Sequence, residues 1–200
     1  MKHASAIGWS EVAGREASLV QRCAAGDEDA SAELVAEHYR MVLSLVTNLL
    51  GDRDEGLDLT QEVFLRVFRT IHRFRGQSAL RTWIYRIAVN QVRNRQRWWR
   101  RRHRGEQVSL DEHLQRHGDV PLGSNVTAPD RMFANHELAG RLEAALERLP
   151  FEQRTAIVLR EIEGLSYDEI AFSLHLAVGT VKSRLTRARQ ALRAELRAVR

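Results

Sequence analysis

Apolar residues recur three and four positions apart along most of the chain, the spacing of one buried helix face. Leu19, Val20 and Cys23 lie on one such face near the start. Val35, Tyr39, Val42, Val46 and Leu49 mark a long amphipathic helix that stops near Gly51. After the polar turn 52–56, Leu59, Val63, Val67 and Ile71 form a stripe with Phe64 and Phe68 beside it, which predicts a helix from about residue 57 to 71. A short loop, 74–80, leads to a helix from about residue 81 to past 97 on Leu80, Ile84, Ile87 and Val92. Leu138, Leu142, Ala145, Leu146 and Leu149 predict another, limited by Pro150, and Ile157, Val158 and Ile162 a further one that Gly164 can cap. The three prolines stand at 121, 129 and 150, and no alternating run of β-branched residues is long enough for a sheet. The pattern is that of an all-α protein.

The periodicity dissolves between about Gly105 and Pro129 into Gly, Pro, Ser, Asn and mixed charge. This predicts two helical domains, 17–104 and 131–200, joined by a flexible linker over 105–130. Fully extended, that linker reaches roughly 80 Å, and as a coil about 25 to 30 Å. Either span lets two domains sit about one turn of duplex, 34 to 36 Å, apart or more.

The stretch from Leu165 to Arg189 encodes two short helices at a sharp angle. Ser166 and Glu169 make a capping box, so a helix begins at Tyr167. Ile170, Ala171 and Leu174 face inward, His175 to Ala177 break the run, and Val178, Val181, Leu185, Ala188 and Leu192 resume at helical spacing. The same spacing turns Thr180, Ser183, Arg184 and Arg187 outward, with Lys182 toward one edge. A helix-turn-helix over 167–186 follows, its second helix sized for the major groove. A packed helical hairpin with a solvated basic face is the competing reading of this segment. Ala177 offers no side-chain cap, so the second helix leans on Gly179 and Thr180 for its start.

Composition sharpens the picture. The chain has 200 residues, 44% of them hydrophobic, enough for one or two small cores. A net charge of +5 and a pI near 10.1 favour an anionic partner. No apolar run reaches the ~20 residues of a membrane span, and residues 1–10 lack the apolar segment of a signal peptide, so a cytoplasmic protein is expected. Cys23 is the single cysteine, which excludes an internal disulfide or a cysteine-based zinc cluster. It reads as a small core residue.

A second chemical signal sits in the first domain. Arg86, Asn90, Arg93, Asn94 and Arg97 share one polar stripe, and no acid occurs from Ser78 to Arg104. Such a stripe can follow a phosphate backbone. Trp83 and Tyr85 inside the helix, Trp98 and Trp99 at its end and Phe74 before it interleave aromatic faces with cations, an arrangement that suits unpaired bases. The alternative is that Trp83 is core and Trp98 and Trp99 cover a helix end.

These motifs together resemble an extracytoplasmic-function (ECF) RNA polymerase sigma factor, of the RpoE-like branch of the sigma-70 family. Asp58-Leu-Thr-Gln-Glu-Val-Phe-Leu-Arg-Val-Phe68 is similar to the family's polymerase-binding segment, and Phe74 to Asn90 to its promoter-melting and proximal-element segment. Val178-Gly-Thr-Val-Lys-Ser-Arg-Leu185 is similar to its distal-element recognition helix. The resemblance implies that Asp58, Gln61, Glu62, Phe64, Leu65 and Phe68 dock on the clamp helices of the polymerase's largest catalytic subunit, with a further contact to the flap of the second subunit. It implies that Phe74, Gln77, Ser78, Trp83, Tyr85, Arg86, Asn90, Arg93 and Arg97 read and melt the proximal element, and that Thr180, Lys182, Ser183, Arg184 and Arg187 read the distal one. It also implies a partner anti-sigma factor, a monomer when free, and neither cofactor nor metal. Two positions depart from the family pattern: His175 stands where Gly is frequent, and Ala177 where Ser or Pro is usual.

Two other classes fit less. A nuclease needs clustered carboxylates or His ligands, and the eight histidines are scattered with no His-Glu-x-x-His motif. An operator-binding regulator accounts for the C-terminal half and leaves the aromatic, basic first domain unexplained.

Overall fold

A computed structural model describes residues 9–102 and 140–198, all of the regular structure within them helical. The predicted linker lies outside the described residues. Helix α1 (Trp9–Ala24) leads to α2 (Glu28–Leu50), whose first turn is fixed by the Asp27 carboxylate accepting from the Ala30 amide at 2.9 Å. Gly51 ends α2 at φ 78°, the left-handed conformation glycine adopts without a Cβ penalty.

Helix α3 (Arg53–Thr70) begins earlier than the apolar stripe suggests. Residues 52–56 are not a free turn: Asp52 accepts from the Glu55 amide at 3.0 Å and starts the helix before its first apolar position. Gly56 lies where α3 meets α2, and a Cβ there would stand 2.7 Å from Thr47 Oγ1. After a 3₁₀ turn (Ile71–Arg73) and the loop 74–79, α4 runs from Leu80 to Arg102.

The C-terminal half starts with α5 (residues 140–147) and α6 (Phe151–Ile157), which Pro150 precedes. The helix that Gly164 was expected to close ends instead in a π-helical turn, Val158–Ile162, before Gly164 at φ 72°. Hydrophobic periodicity carries no sign of that widened turn. Helices α7 (Tyr167–Leu174) and α8 (Val178–Ala198) complete the chain.

Leu34, Val42, Leu45 and Leu49 of α2 are buried with Leu59, Val63 and Val67 of α3 and Ile84, Tyr85, Val89 and Val92 of α4. Ile157, Leu159, Leu165, Ile170, Val181 and Leu185 form the apolar centre of the C-terminal half, and the two groups join in one continuous cluster. Cys23 is buried on α1 as expected, and burial pushes its thiol up, away from reactivity.

Both arms of the capping box form: Ser166 Oγ accepts from the Glu169 amide at 3.2 Å and Glu169 accepts from the Ser166 amide at 2.8 Å. Burial alone would raise the Glu169 carboxyl, but the Ser166 amide and hydroxyl hold it below the usual carboxylate range. Ser166→Ala should cost about 0.5 to 2 kcal/mol at neutral pH. A carboxyl lowered by folding stabilises above its unfolded pKa of about 4.3 and loses that contribution as pH falls further. Urea unfolding should therefore show the wild-type advantage at pH 7 and a smaller one near pH 3.

Candidate nucleic-acid and polymerase interfaces

Helix α4 carries the predicted stripe on one side and core on the other. Asn90, Asn94 and Arg97 are exposed, while Arg86 and Arg93 are half-buried. These residues line one wall of a groove of about 820 Å³, whose other wall is Glu62, Leu65, Arg66 and Arg69 of α3 with Arg73 from the turn after it. The second arginine bank was not among the sequence candidates. Its signal was available: residues 66, 69 and 73 recur at helical spacing on the face of α3 that the apolar stripe leaves free.

A second cavity of about 450 Å³ opens at the loop before α4, lined among others by Phe74, Gln77, Ser78, Trp83 and Arg86. Phe74 and Trp83 meet edge to face with centroids 5.5 Å apart. Trp83 is buried, yet it lines both cavities, so core and site share this side chain. Tyr85 points elsewhere. Its hydroxyl donates to Glu163 at 2.6 Å inside the protein, and burial and that carboxylate push the phenol far above its ordinary range. At the end of α4, exposed Trp98 and Trp99 pack edge to face at 5.9 Å, with Arg102 5.0 Å from the Trp98 ring. Trp99 Nε1 donates to Glu55 at 2.9 Å, and Arg95 pairs with Glu55 and Glu62, so this corner ties α4 to α3.

On α3, Asp58, Gln61 and Glu62 are exposed and Phe68 is half-buried. Leu65 is the apolar projection of this surface, 55% exposed, whereas Phe64 stacks on Tyr39 within the core at 6.4 Å. A ridge of exposed acids around a bare leucine can offer charge outside and an apolar anchor within.

The C-terminal face is a helix-turn-helix. The turn passes through His175 at φ 53°, a left-handed conformation uncommon for a residue with a Cβ, and the Leu176 amide closes back on the Ala171 carbonyl at 2.9 Å. The Ala177 carbonyl accepts from the Thr180 and Val181 amides at 2.9 and 3.2 Å, so α8 starts at Val178 without a side-chain cap. Thr180, Lys182, Ser183 and Arg187 project into solvent, and Arg184 lies half-buried against Glu152. Among the described residues no group of three or more His, Cys, Asp or Glu could hold a metal ion, and no helix is long and apolar enough to cross a membrane.

A helix-turn-helix on one helical domain and an arginine-lined groove with an aromatic cavity on the other define a two-domain DNA-binding protein. Comparison with known proteins narrows this. Residues 34–105 match the model of sigma-70 region 2 and residues 139–192 that of sigma-70 region 4. The chain is 36% identical to the RNA polymerase sigma-H factor of Pseudomonas aeruginosa over 178 residues, 89% of this chain and 92% of that one. It is 39% identical to the ECF RNA polymerase sigma-E factor of Escherichia coli K12 over 176 residues, 87% and 90% of the two chains. Among solved structures it is similar to CnrH in complex with the cytosolic domain of CnrY (TM-score 0.64, 27% identity, 92% of this chain and 97% of that one). It is also similar to the sigma factor RpoE in complex with the anti-sigma factor NepR from Bartonella quintana (TM-score 0.63, 25% identity, 84% and 98%). The chain belongs to the ECF sigma factors of the sigma-70 family.

Proposed function

We propose that this chain binds core RNA polymerase, directs it to promoters and nucleates their opening, without catalysing a reaction itself. What supports the reading is the presence on one chain of exposed Leu65 among acids at the rim of the α4 groove, assigned here to the polymerase clamp helices, of that groove and the Phe74–Trp83 cavity, assigned to the proximal element, and of the α8 face, assigned to the distal one. The domain reading stands with it: 17–104 docks and opens, 131–200 anchors upstream near the flap of the second subunit, and 105–130 spans the two. In this proposal the chain acts in the cytoplasm, as a monomer when free.

Magnitudes limit what the chain does alone. Opening duplex costs about 1.4 kcal/mol per stacked step, and capturing one or two bases returns about 1 to 3 kcal/mol each. That offsets only the first few steps, so a sustained bubble needs the polymerase. Five cations of the α4 groove on phosphates give a slope of roughly −4 to −5 in log affinity against log salt. Arg97→Ala should make that slope shallower by about one, read by fluorescence anisotropy of a proximal-element oligonucleotide across a salt series.

The similar sigma factor RpoE, solved in complex with the anti-sigma factor NepR, supports a matching inhibitor here, one that covers the polymerase-docking and DNA-reading faces together. Pull-downs from native cells should recover a small inhibitor protein besides polymerase, and recovery of polymerase alone counts against this part. Run-off transcription from selected promoters with purified core polymerase tests the main proposal. Transcripts that start at defined sites only when this chain is added are expected, and their absence overturns it.

A further inference from the structure

The loop that lines the Phe74–Trp83 cavity is held at both ends by a helix far from it in sequence. The loop spans residues 74–79, and among the described residues its own hydrogen bonds are local: the Phe74 amide donates to the Ile71 carbonyl at 2.9 Å and the Ser78 hydroxyl to the Ala79 carbonyl at 3.2 Å. Ala79, immediately before α4, has no side-chain acceptor for the first amides of that helix. Glu16 of α1 supplies one. Its carboxylate accepts from the Leu80 amide at 3.1 Å, across 64 residues of chain. Helix α1 also packs on the turn Ile71–Arg73 that leads into the loop, where Ile71 is buried. The start of the loop thus rests on α1 through packing and its end through a hydrogen bond.

The placement of α1 does not depend on this one bond. Leu19, Val20 and Cys23 bury its inner face, and Arg22 pairs with Glu33 of α2 at 2.6 Å. Glu16 is half-buried, and it and Arg81 both lie close enough to His38 of α2 to act on its charge, so the contact sits where α1, α2 and α4 meet. A carboxylate there also meets the positive end of α4. Glu16 lines neither cavity. What it fixes does: Trp83 stands one turn beyond Leu80, and Phe74, at the far end of the loop, meets the Trp83 ring at 5.5 Å. A recognition site displaced by about 1 Å loses its geometry, and contacts behind the touching residues are what hold it.

We infer that Glu16 is a positioning residue for base capture: by holding the Leu80 amide it fixes the end of the loop and the setting of Phe74 against Trp83, without touching DNA itself. This role rests on the assignment of the Phe74–Trp83 cavity to an unpaired base. Helix α1, which carries none of the promoter-reading residues, then contributes to reading the proximal element through one carboxylate.

The test uses holoenzyme assembled from core polymerase and the full chain, as wild type, Glu16→Ala or Glu16→Gln. Fluorescence anisotropy reads binding of the single-stranded proximal element of a selected promoter, intact and with single abasic positions scanned through it. A base stacked in a formed pocket contributes about fivefold to a hundredfold in affinity, so wild type should lose at least about fivefold at one or two abasic positions. Glu16→Ala should bind the intact strand at least about fivefold more weakly, yet match wild type within about twofold on strands abasic at those positions. Glu16→Gln keeps an acceptor oxygen and should stay within about twofold of wild type on every strand. An alanine variant that keeps the wild-type abasic penalty, at full affinity or uniformly weakened, overturns the positioning role, because damage to the fold at large weakens all strands alike. A glutamine variant as weak as alanine overturns the Leu80 hydrogen bond as its basis. Wild type with no abasic penalty at any position overturns the pocket assignment itself, and the positioning role with it.

Discussion

Leu65→Asp should weaken binding to core polymerase by at least roughly 30-fold, the effect of losing an interface anchor worth about 2 kcal/mol. Leu65 stands 55% exposed on α3, between Glu62 and Phe68, where water contact costs the free chain apolar hydration that a partner surface would relieve. The substitution touches no core position, so urea unfolding should move by no more than about 0.5 kcal/mol. Surface plasmon resonance on immobilised core polymerase reads the binding loss, and unchanged affinity would place the docking surface elsewhere. Phe64, its neighbour in the chain, is the instructive contrast. It stacks on Tyr39 inside the domain, so Phe64→Ala should unfold rather than undock.

Trp83→Ala should cost roughly 3 to 5 kcal/mol of stability, as deletion of a buried indole does. Trp83 packs edge to face on Phe74 and lines both the arginine groove and the loop cavity, so the loss couples core and site. Trp83→Phe separates the two. It retains most of the packing, and should hold the fold while reducing promoter opening by holoenzyme, because a smaller ring narrows the stacking surface beside the loop. Urea midpoints give the first effect and permanganate reactivity of promoter thymines the second. Full opening by Trp83→Phe at wild-type rates would show that the indole serves packing alone.

Much of this fold was legible in the chain. Periodicity located α2, α3, α4 and α8 because each buries one face, and the Ser166–Glu169 pair fixed the start of α7 because its hydrogen bonds are local. The misses have physical causes as well. Asp52 begins α3 through a cap that no apolar residue announces, and the π turn at Val158–Ile162 is a backbone event in a run of ordinary helix formers. Tyr85 reads as an aromatic among cations on the reading helix, yet it faces α2 and Glu163, since the side of α4 it occupies is covered by the C-terminal half. Contacts between domains are set by surfaces distant in sequence. Arg66, Arg69 and Arg73 escape the pattern for another reason: they share their side of the groove with Glu62 and Leu65, and only the fold of α4 against them shows a continuous arginine bank.

Permanganate footprinting of one selected promoter, with this chain alone, core polymerase alone and the two together, reads directly whether strand opening belongs to the chain or to its complex with polymerase. Reactive thymines at the start-proximal element only when chain and polymerase are combined are the predicted result. Equal reactivity with the chain alone, or none with the pair, would contradict it.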